Sequence, residues 1–326
     1  MQPGTSPQVR ASFPVLIVDC EGESLGHPHG SLTLLSISTP DGSRILLIDV
    51  LALRDPKHPS LKPLLALLSS DKVLKVFWDG RTDVLELSLT YGVRVAPVLD
   101  LQVAEVVHRS KWQSKDRHLR ALAEKTFKSI RNEVLADPAV FDGIYPLIGL
   151  DGCLRYQGLV KEQAKDEEVV KMHKTQGSAM WAERPLPANL LAYAARDVEL
   201  IAALYRHAIH RWRIGSDDAL EKLKSQSAAY VSVYRTREQK ARHQALELGR
   251  FMAMGVLDEA SANNARYRCE RCELELPLSC FVKSSSEKAG TRTHTNSLKL
   301  RRWSLCRLCG ALARKNRETG QRWVDV

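Results

Sequence analysis

FPVLIVDCEG, residues 13–22, decides how this chain is read. Phe13 to Val18 form an apolar run of strand length, and the run ends in an acid, a cysteine and a second acid. On a strand, side chains at i and i+2 share a face, so Asp19 and Glu21 project together while Cys20 points the other way, into packing. Two neighbouring carboxylates repel unless a cation lies between them. Taken alone, the pair allows two readings: a cation-binding pair, or two solvated acids of a turn.

Working outward, SLTLLSIS (31–38) and RILLIDV (44–50) are further Leu/Ile-rich runs, separated by Gly, Pro, Asp and Ser clusters. They predict a three-stranded antiparallel start. SLKPLLALLSS (60–70) has helical spacing, KVLKVFW (72–78) reads as a strand and RTDVLELSLTYG (81–92) as a helix ending at Gly92. VLD (98–100) is a short strand leading into the helix LQVAEVVHR (101–109). Strands alternating with helices predict an α/β fold with a mixed sheet covered by helices. HLRALAEKTF (118–127) and QAKDEEVVKMHKTQ (163–176) also read as helices. NLLAYAARDVELIAALYRHAIHRW (189–212) predicts a long amphipathic helix capped by Asn189.

With 326 residues, 44% hydrophobic and 26% charged, the chain can bury one large core plus something smaller. No run approaches the roughly 18 apolar residues of a membrane span, so no membrane partner is expected. MQPGTSPQVRASFP shows neither a secretory nor a transit pattern, and the expected location is nuclear or cytoplasmic. The net charge of +10 is uneven, because residues 266–326 hold 14 Lys/Arg against 6 Asp/Glu. A basic partner surface is therefore expected in the tail. Residues 214–265, with 7 basic and 7 acidic side chains, read as a solvated helical spacer. The expected organisation is a domain over 12–213, a helical linker over 214–265 and a cysteine-bearing module over 266–326.

More acids fall in step with these elements. KVFWDGRTDVLEL (75–87) puts Asp83 at the start of a helix just after a strand, at the sheet edge where α/β folds build sites. YAARD puts Tyr193 and Asp197 four residues apart, on one helical face. Each signal is weak separately. In this order and spacing, with VLDLQVAEVV and WAERPLPANLLAYAARDVELIAALY around them, residues 12–212 resemble the DEDDy family of 3′-to-5′ exonucleases, the ribonuclease D-like branch of the ribonuclease H superfamily. The VDCEG form is most similar to the exonuclease-domain-like proteins of animals and fungi.

The resemblance implies a ribonuclease H-like fold and hydrolysis of single-stranded nucleic acid from its 3′ end, RNA ahead of DNA. It implies two Mg²⁺ or Mn²⁺ ions held by Asp19, Glu21, Asp83 and Asp197, with Tyr193 orienting the attacking water. Hard cations take oxygen ligands, and paired ions relieve the charge of a phosphodiester under attack. Asp79 stands where many members carry Asn or His. The branch also holds degenerate domains that bind RNA without cutting it, and the rival reading is such a catalytically inactive RNA- or protein-binding scaffold. Those domains usually lose one or more acids, whereas this sequence keeps all four and the tyrosine.

Of seven cysteines, four form two C-x-x-C pairs, Cys269/Cys272 and Cys306/Cys309. In an intracellular chain this favours metal ligation over disulfides. Two such knuckles facing one Zn²⁺ make a closed, structural site. The 33 residues between them exceed the roughly 15–20 of the plainest spacing. Cys280 and His294 lie between the knuckles and read as packing or surface residues, with ligation as the other reading; Cys20 and Cys153 read as core. The layout is similar to treble-clef-like zinc modules, in which the second knuckle heads the final helix. KLRRW and ARKNRETGQRW carry Trp303 and Trp323 among basic residues, which suits phosphate contacts plus a stacking ring. Nucleic acid is thus the module's expected partner, and another protein the alternative.

Overall fold

The apolar runs that follow Phe13 become β1 (Val15–Glu23), β2 (Ser31–Ser38) and β3 (Ile45–Asp49) in a computed structural model describing residues 14–161, 169, 171–172, 175, 177–258, 265–286 and 299–326. Most of the helix expected over 163–176, and His294, lie outside the described residues. Next come α1 (Lys62–Ser69), β4 (Leu74–Phe77), α2 (Arg81–Tyr91), β5 (Val98–Asp100) and α3 (Leu101–Trp112). The middle of the chain forms α4 (Lys115–Lys125), α5 (Arg131–Ala136), α6 (Pro138–Phe141), β6 (Ile144–Pro146), α7 (Leu150–Tyr156) and the long α8 (Ala188–Arg211). The rest comprises α9 (Asp217–Val231), α10 (Arg237–Ala245), β7 (Phe251–Ala253), β8 (Arg266–Arg268), β9 (Glu275–Pro277), β10 (Lys283–Ser286), β11 (Lys299–Trp303), α11 (Arg307–Lys315) and β12 (Trp323–Asp325). These elements gather into two compact units, residues 1–105 with 148–232, and residues 106–147 with 233–326.

The first unit is built on a five-stranded sheet of order β3-β2-β1-β4-β5. β3, β2 and β1 are antiparallel neighbours, while β4 and β5 run parallel to β1. A parallel return needs a crossover, and α1 and α2 supply it. β2 is buried at every residue after Ser31, as befits a strand covered on both faces. The mixed α/β architecture expected from sequence is therefore present. Between Glu21 and Gly22 the β1–β2 register shifts by a bulge. A Cβ at Gly22 would lie 2.1 Å from the Ser31 carbonyl oxygen, so only glycine lets the hairpin close there.

Two local expectations are corrected. α8 is capped by Pro187 rather than Asn189: the proline backbone is already extended (φ −56°, ψ 144°), and its carbonyl accepts from the amides of Leu190 and Leu191, each at 3.1 Å. Asn189 instead sits in the first turn, where its Oδ1 accepts from Leu190 N at 3.0 Å. Nor is the 214–265 stretch a solvated spacer throughout. α9 buries Leu223, Ser227, Tyr230 and Val231, an i, i+4, i+7, i+8 stripe, and packs on β5 and α2 in the first unit.

The second unit holds α4–α6, the antiparallel pair β6–β7, the hairpin β8–β9 and a three-stranded sheet β10-β11-β12. Its core includes Phe127, packed edge-on against Phe141 (5.3 Å) and stacked on Phe251 (6.1 Å). α11 lies against α6 and β7. Among the described residues, no helix is long and apolar enough to cross a membrane.

Candidate functional site

The acids converge because the sheet edge leaves room for them. β4 pairs with β1 only over Val15–Ile17, so past Ile17 that side of β1 is open to another partner. α2 provides one: Asp83, in its first turn, accepts the amide of Cys20 on Oδ1 at 2.9 Å. Asp83 is thereby pinned beside the residues that bear Asp19 and Glu21. From α8 comes Asp197, 5% exposed. One carboxylate oxygen each from Asp19, Glu21 and Asp197 lies within 4.8 Å of the others. Asp83 adjoins this trio without belonging to that 4.8 Å set.

Tyr193 sits one turn before Asp197, 9% exposed, its ring 6.2 Å from that of Trp181. The segment leading into α8 is fixed from both sides. Ser178 Oγ accepts the Ser24 amide at 2.7 Å. Arg184 grips both oxygens of Asp49 (2.8 and 2.9 Å) and donates to the carbonyl of Thr33 at 3.0 Å. That guanidinium holds the Asp49 carboxyl below its usual range. The rotational setting of α8, and with it the aim of Tyr193 and Asp197, is tied to β2 and β3.

Behind Asp83 lies a polar turn of which sequence reasoning singled out Asp79 but not its partners. Asp79 adopts the left-handed region (φ 56°), which Asn and Asp tolerate best among non-glycine residues. Gly80 N donates to Asp100 Oδ2 at 2.8 Å, and Asp100 Oδ1 accepts from Gln102 N (2.9 Å) and Val103 N (3.2 Å), capping α3. Burial pushes the fully enclosed Asp100 up to about 7, with Asp79 adding to the rise and the amide donors opposing it. Desolvation also raises Asp83, and the charges of Asp79 and Asp100 add to it. A site so crowded with carboxylates is short of positive charge.

α9 is stitched to this turn. Arg81 forms a two-pronged pair with Asp79 (2.6 and 2.8 Å) and lies 4.7 Å over the Tyr230 ring. The Tyr230 hydroxyl donates to Gln102 Oε1 at 2.8 Å, with Asp79 Oδ1 at 3.3 Å, and Ser227 Oγ accepts the Asp100 amide at 2.9 Å. Asp100 lay in a stretch already singled out, but Tyr230 and Ser227 gave no signal beyond the 223/227/230 spacing. Tyr230→Phe keeps the ring under Arg81 and removes only the hydroxyl, leaving a buried amide oxygen short of a donor. The expected loss is about 1–3 kcal/mol in denaturant unfolding. An unchanged midpoint would show that the stitch carries no stability.

In the second unit the β8–β9 turn carries Cys269 and Cys272. It closes through Glu273, whose left-handed backbone (φ 62°) lets its amide reach the Cys269 carbonyl at 2.8 Å. Cys306 caps the N-terminus of α11 and Cys309 lies in its first turn. All four sulfurs are buried and lie within 4.8 Å of one another. Such a set cannot carry four negative charges unaided. Hydrogen bonds from the other three thiols hold the Cys269 thiol far below its usual value, while Cys306 and Cys309 are held far above theirs. Cys280 is buried outside this quartet, and Cys20 and Cys153 are buried in the first unit.

The tail's aromatic and basic residues are more engaged than their sequence suggested. Trp303 is 8% exposed, with Arg314 5.2 Å over its ring and Trp323 at 6.2 Å, so it is not an open stacking ring. Trp323 is 39% exposed.

A family described as 3′-5′ exonuclease matches residues 8–137, a stretch containing Asp19, Glu21 and Asp83 but not Tyr193 or Asp197. Ribonuclease D of Nitrobacter hamburgensis is 26% identical over 190 residues, 58% of this chain. The chain spans only 36% of that relative's length. The crystal structure of RNase D from Trypanosoma brucei covers 70% of this chain, and 68% of its own, at a TM-score of 0.51 and 23% identity. Its GMP complex is similar at a TM-score of 0.50 and 23% identity, over 69% of this chain and 59% of that one. The central mixed sheet with flanking helices is the ribonuclease H-like exonuclease fold of these neighbours.

Proposed function

We propose that the first unit is a metal-dependent 3′-to-5′ exonuclease acting on single-stranded nucleic acid, RNA ahead of DNA. One observation carries the reading: Asp197 comes from a distant part of the chain to within 4.8 Å of Asp19 and Glu21, with Asp83 bonded to the amide between those two. The match to a 3′-5′ exonuclease family and the likeness to ribonuclease D support the DEDD group of exonucleases. The GMP complex of the trypanosomal neighbour concerns a nucleoside monophosphate, the product class of stepwise removal from an end.

The donor set suits Mg²⁺ or Mn²⁺, being all carboxylate oxygen, and Asp19, Glu21, Asp83 and Asp197 would hold two such ions. When bound, the ions supply charge relief to the phosphodiester and a water acidic enough to attack it. The protein's own part is positioning. The Cys20 amide fixes the Asp83 carboxylate, and the Arg184–Asp49 clamp fixes the helix that bears Tyr193 and Asp197. Tyr193, on the same face as Asp197, would orient the attacking water through its hydroxyl.

In the second unit Cys269, Cys272, Cys306 and Cys309 would hold Zn²⁺, whose charge relieves the crowded thiolates. A four-sulfur site leaves no open position, so its role is folding rather than catalysis. Nucleic acid is the proposed partner, a second protein bound through the cysteine module the alternative, and nucleus or cytoplasm the proposed location.

Purified protein with 5′-labelled RNA and DNA strands, free or blocked at the 3′ end, tests this with Mg²⁺ and Mn²⁺. A ladder of shortened products is expected from free 3′ ends only. No ladder with either metal, or equal degradation of blocked ends, would overturn the reading in favour of a non-catalytic scaffold or another nuclease polarity.

A further inference from the structure

The two units differ sharply in charge. Residues 1–105 and 148–232 hold 21 Lys/Arg against 23 Asp/Glu, whereas residues 106–147 and 233–326 hold 27 against 15. The first unit is thus at −2 and the second at +12. Part of that excess comes from residues 106–147, which sequence alone assigned to the exonuclease domain. A body this basic attracts polyanions.

Within the second unit, many arginines of the cysteine-bearing end are already occupied. Arg271 pairs with Glu318 (2.9 Å), Arg322 with Glu270 (2.6 Å) and Arg268 with Glu273 (3.2 Å). Arg302 lies over the rings of Tyr267 (5.1 Å) and Phe281 (4.6 Å). The end of α3 and the start of α4 are different. Lys111, Arg117 and Arg120 are exposed and make no ion pair among the described residues. Lys115 has only a solvent-exposed pair with Asp142 at 3.3 Å.

Among these cations Trp112 closes α3 with 78% of its surface exposed. A lone exposed aromatic has no meaning by itself. Tyr156 is equally exposed, but it belongs to the unit at −2 rather than to the basic one. An exposed indole, 6.2 Å from the His108 ring, among exposed cations of which Lys115 alone is paired, offers what a single strand needs: a ring face on which a base stacks, and charges for the flanking phosphates.

We infer that Trp112, with Lys111, Lys115, Arg117 and Arg120, forms a binding platform for single-stranded nucleic acid, a base stacked on the indole and the adjoining phosphates on the cations. The choice of polyanion rests on the nuclease reading; the surface itself rests on charge and exposure. Stacking does not depend on the sugar, so RNA and DNA both bind.

The test is fluorescence anisotropy of labelled 12-nucleotide RNA and DNA on the full chain carrying Asp197→Asn, which keeps the probe intact without a chelator. Adding Trp112→Ala should weaken both probes about 5- to 100-fold, as expected for loss of one stacked base, with the melting temperature unchanged because the residue is exposed. Trp112→Phe should retain most of the affinity. Lys111→Glu with Arg117→Glu should reduce the log–log salt slope by about 0.7 for each phosphate contact removed. Affinity unaffected by Trp112→Ala overturns the proposal. So does displacement of the probe by poly-glutamate at similar charge concentration, which would mark the surface as a dock for acidic protein. A 3′ ladder from the unmodified protein together with Trp112-independent binding overturns the platform alone. Trp112-dependent binding without any ladder overturns the nuclease reading and leaves the platform standing.

Discussion

Asp197→Asn is expected to slow hydrolysis of 3′ ends about 1,000-fold or more while leaving the fold intact. The substitution keeps the shape of a side chain that is 5% exposed, so neighbours need not move. It removes one of three carboxylates whose oxygens lie within 4.8 Å. If those oxygens hold catalytic cations, losing a charged ligand forfeits several kcal/mol of transition-state stabilisation, and each 1.36 kcal/mol is tenfold in rate. Stability should move the other way. Without metal the three acids repel, so the variant should unfold at the same or higher denaturant than its parent. Glu23→Gln is the control, because Glu23 lies on β1 past the bulge and outside the cluster, and it should cost little. Rates for Asp197→Asn within threefold of the parent, or Mn²⁺ binding unchanged by titration, would remove the site from consideration.

Much of this was legible in short stretches of chain. Three apolar runs and their turn clusters gave the antiparallel half of the sheet, and Asp83 stood out because a helix start directly after a strand is where parallel sheets expose their carboxyl ends. The C-x-x-C pairs announced themselves by spacing. What stayed hidden depends on contacts between distant segments. Tyr230 reads as one aromatic in a polar helix until Gln102 and Asp79 come up beside it. The passage of residues 106–147 into the second unit leaves no local mark, since their helices look like any others. For that reason charge counted along the sequence placed the basic surface in the tail alone, and Trp303, which packs under Arg314, looked available for stacking.

Cys306→Ser is expected to unfold far more than the 61 residues of the expected cysteine module. A segment of that length has only a marginal core of its own. Structural Zn²⁺ in small modules supplies about 10–16 kcal/mol at neutral pH, as much as the whole stability of an ordinary domain. Cys306 also caps α11, and α11 holds other parts of the same unit together. Arg314 pairs with Asp137 at 2.9 Å, Arg307 donates to the Ala139 carbonyl, and Lys315 lies 5.8 Å over the Phe127 ring. Phe127 in turn packs on Phe141 and Phe251. If the four cysteines hold Zn²⁺ as proposed, its loss frees the first turn of α11, and α6 and the aromatic cluster lose their cover. Hydrogen exchange with and without a zinc chelator measures the reach of the damage. Amides of α4–α6 and β6–β7 should lose protection together with those of α11, while β1–β5 keep theirs. Loss confined to residues 266–326 would mean that the cysteine module folds on its own and that its contacts to α6 are incidental.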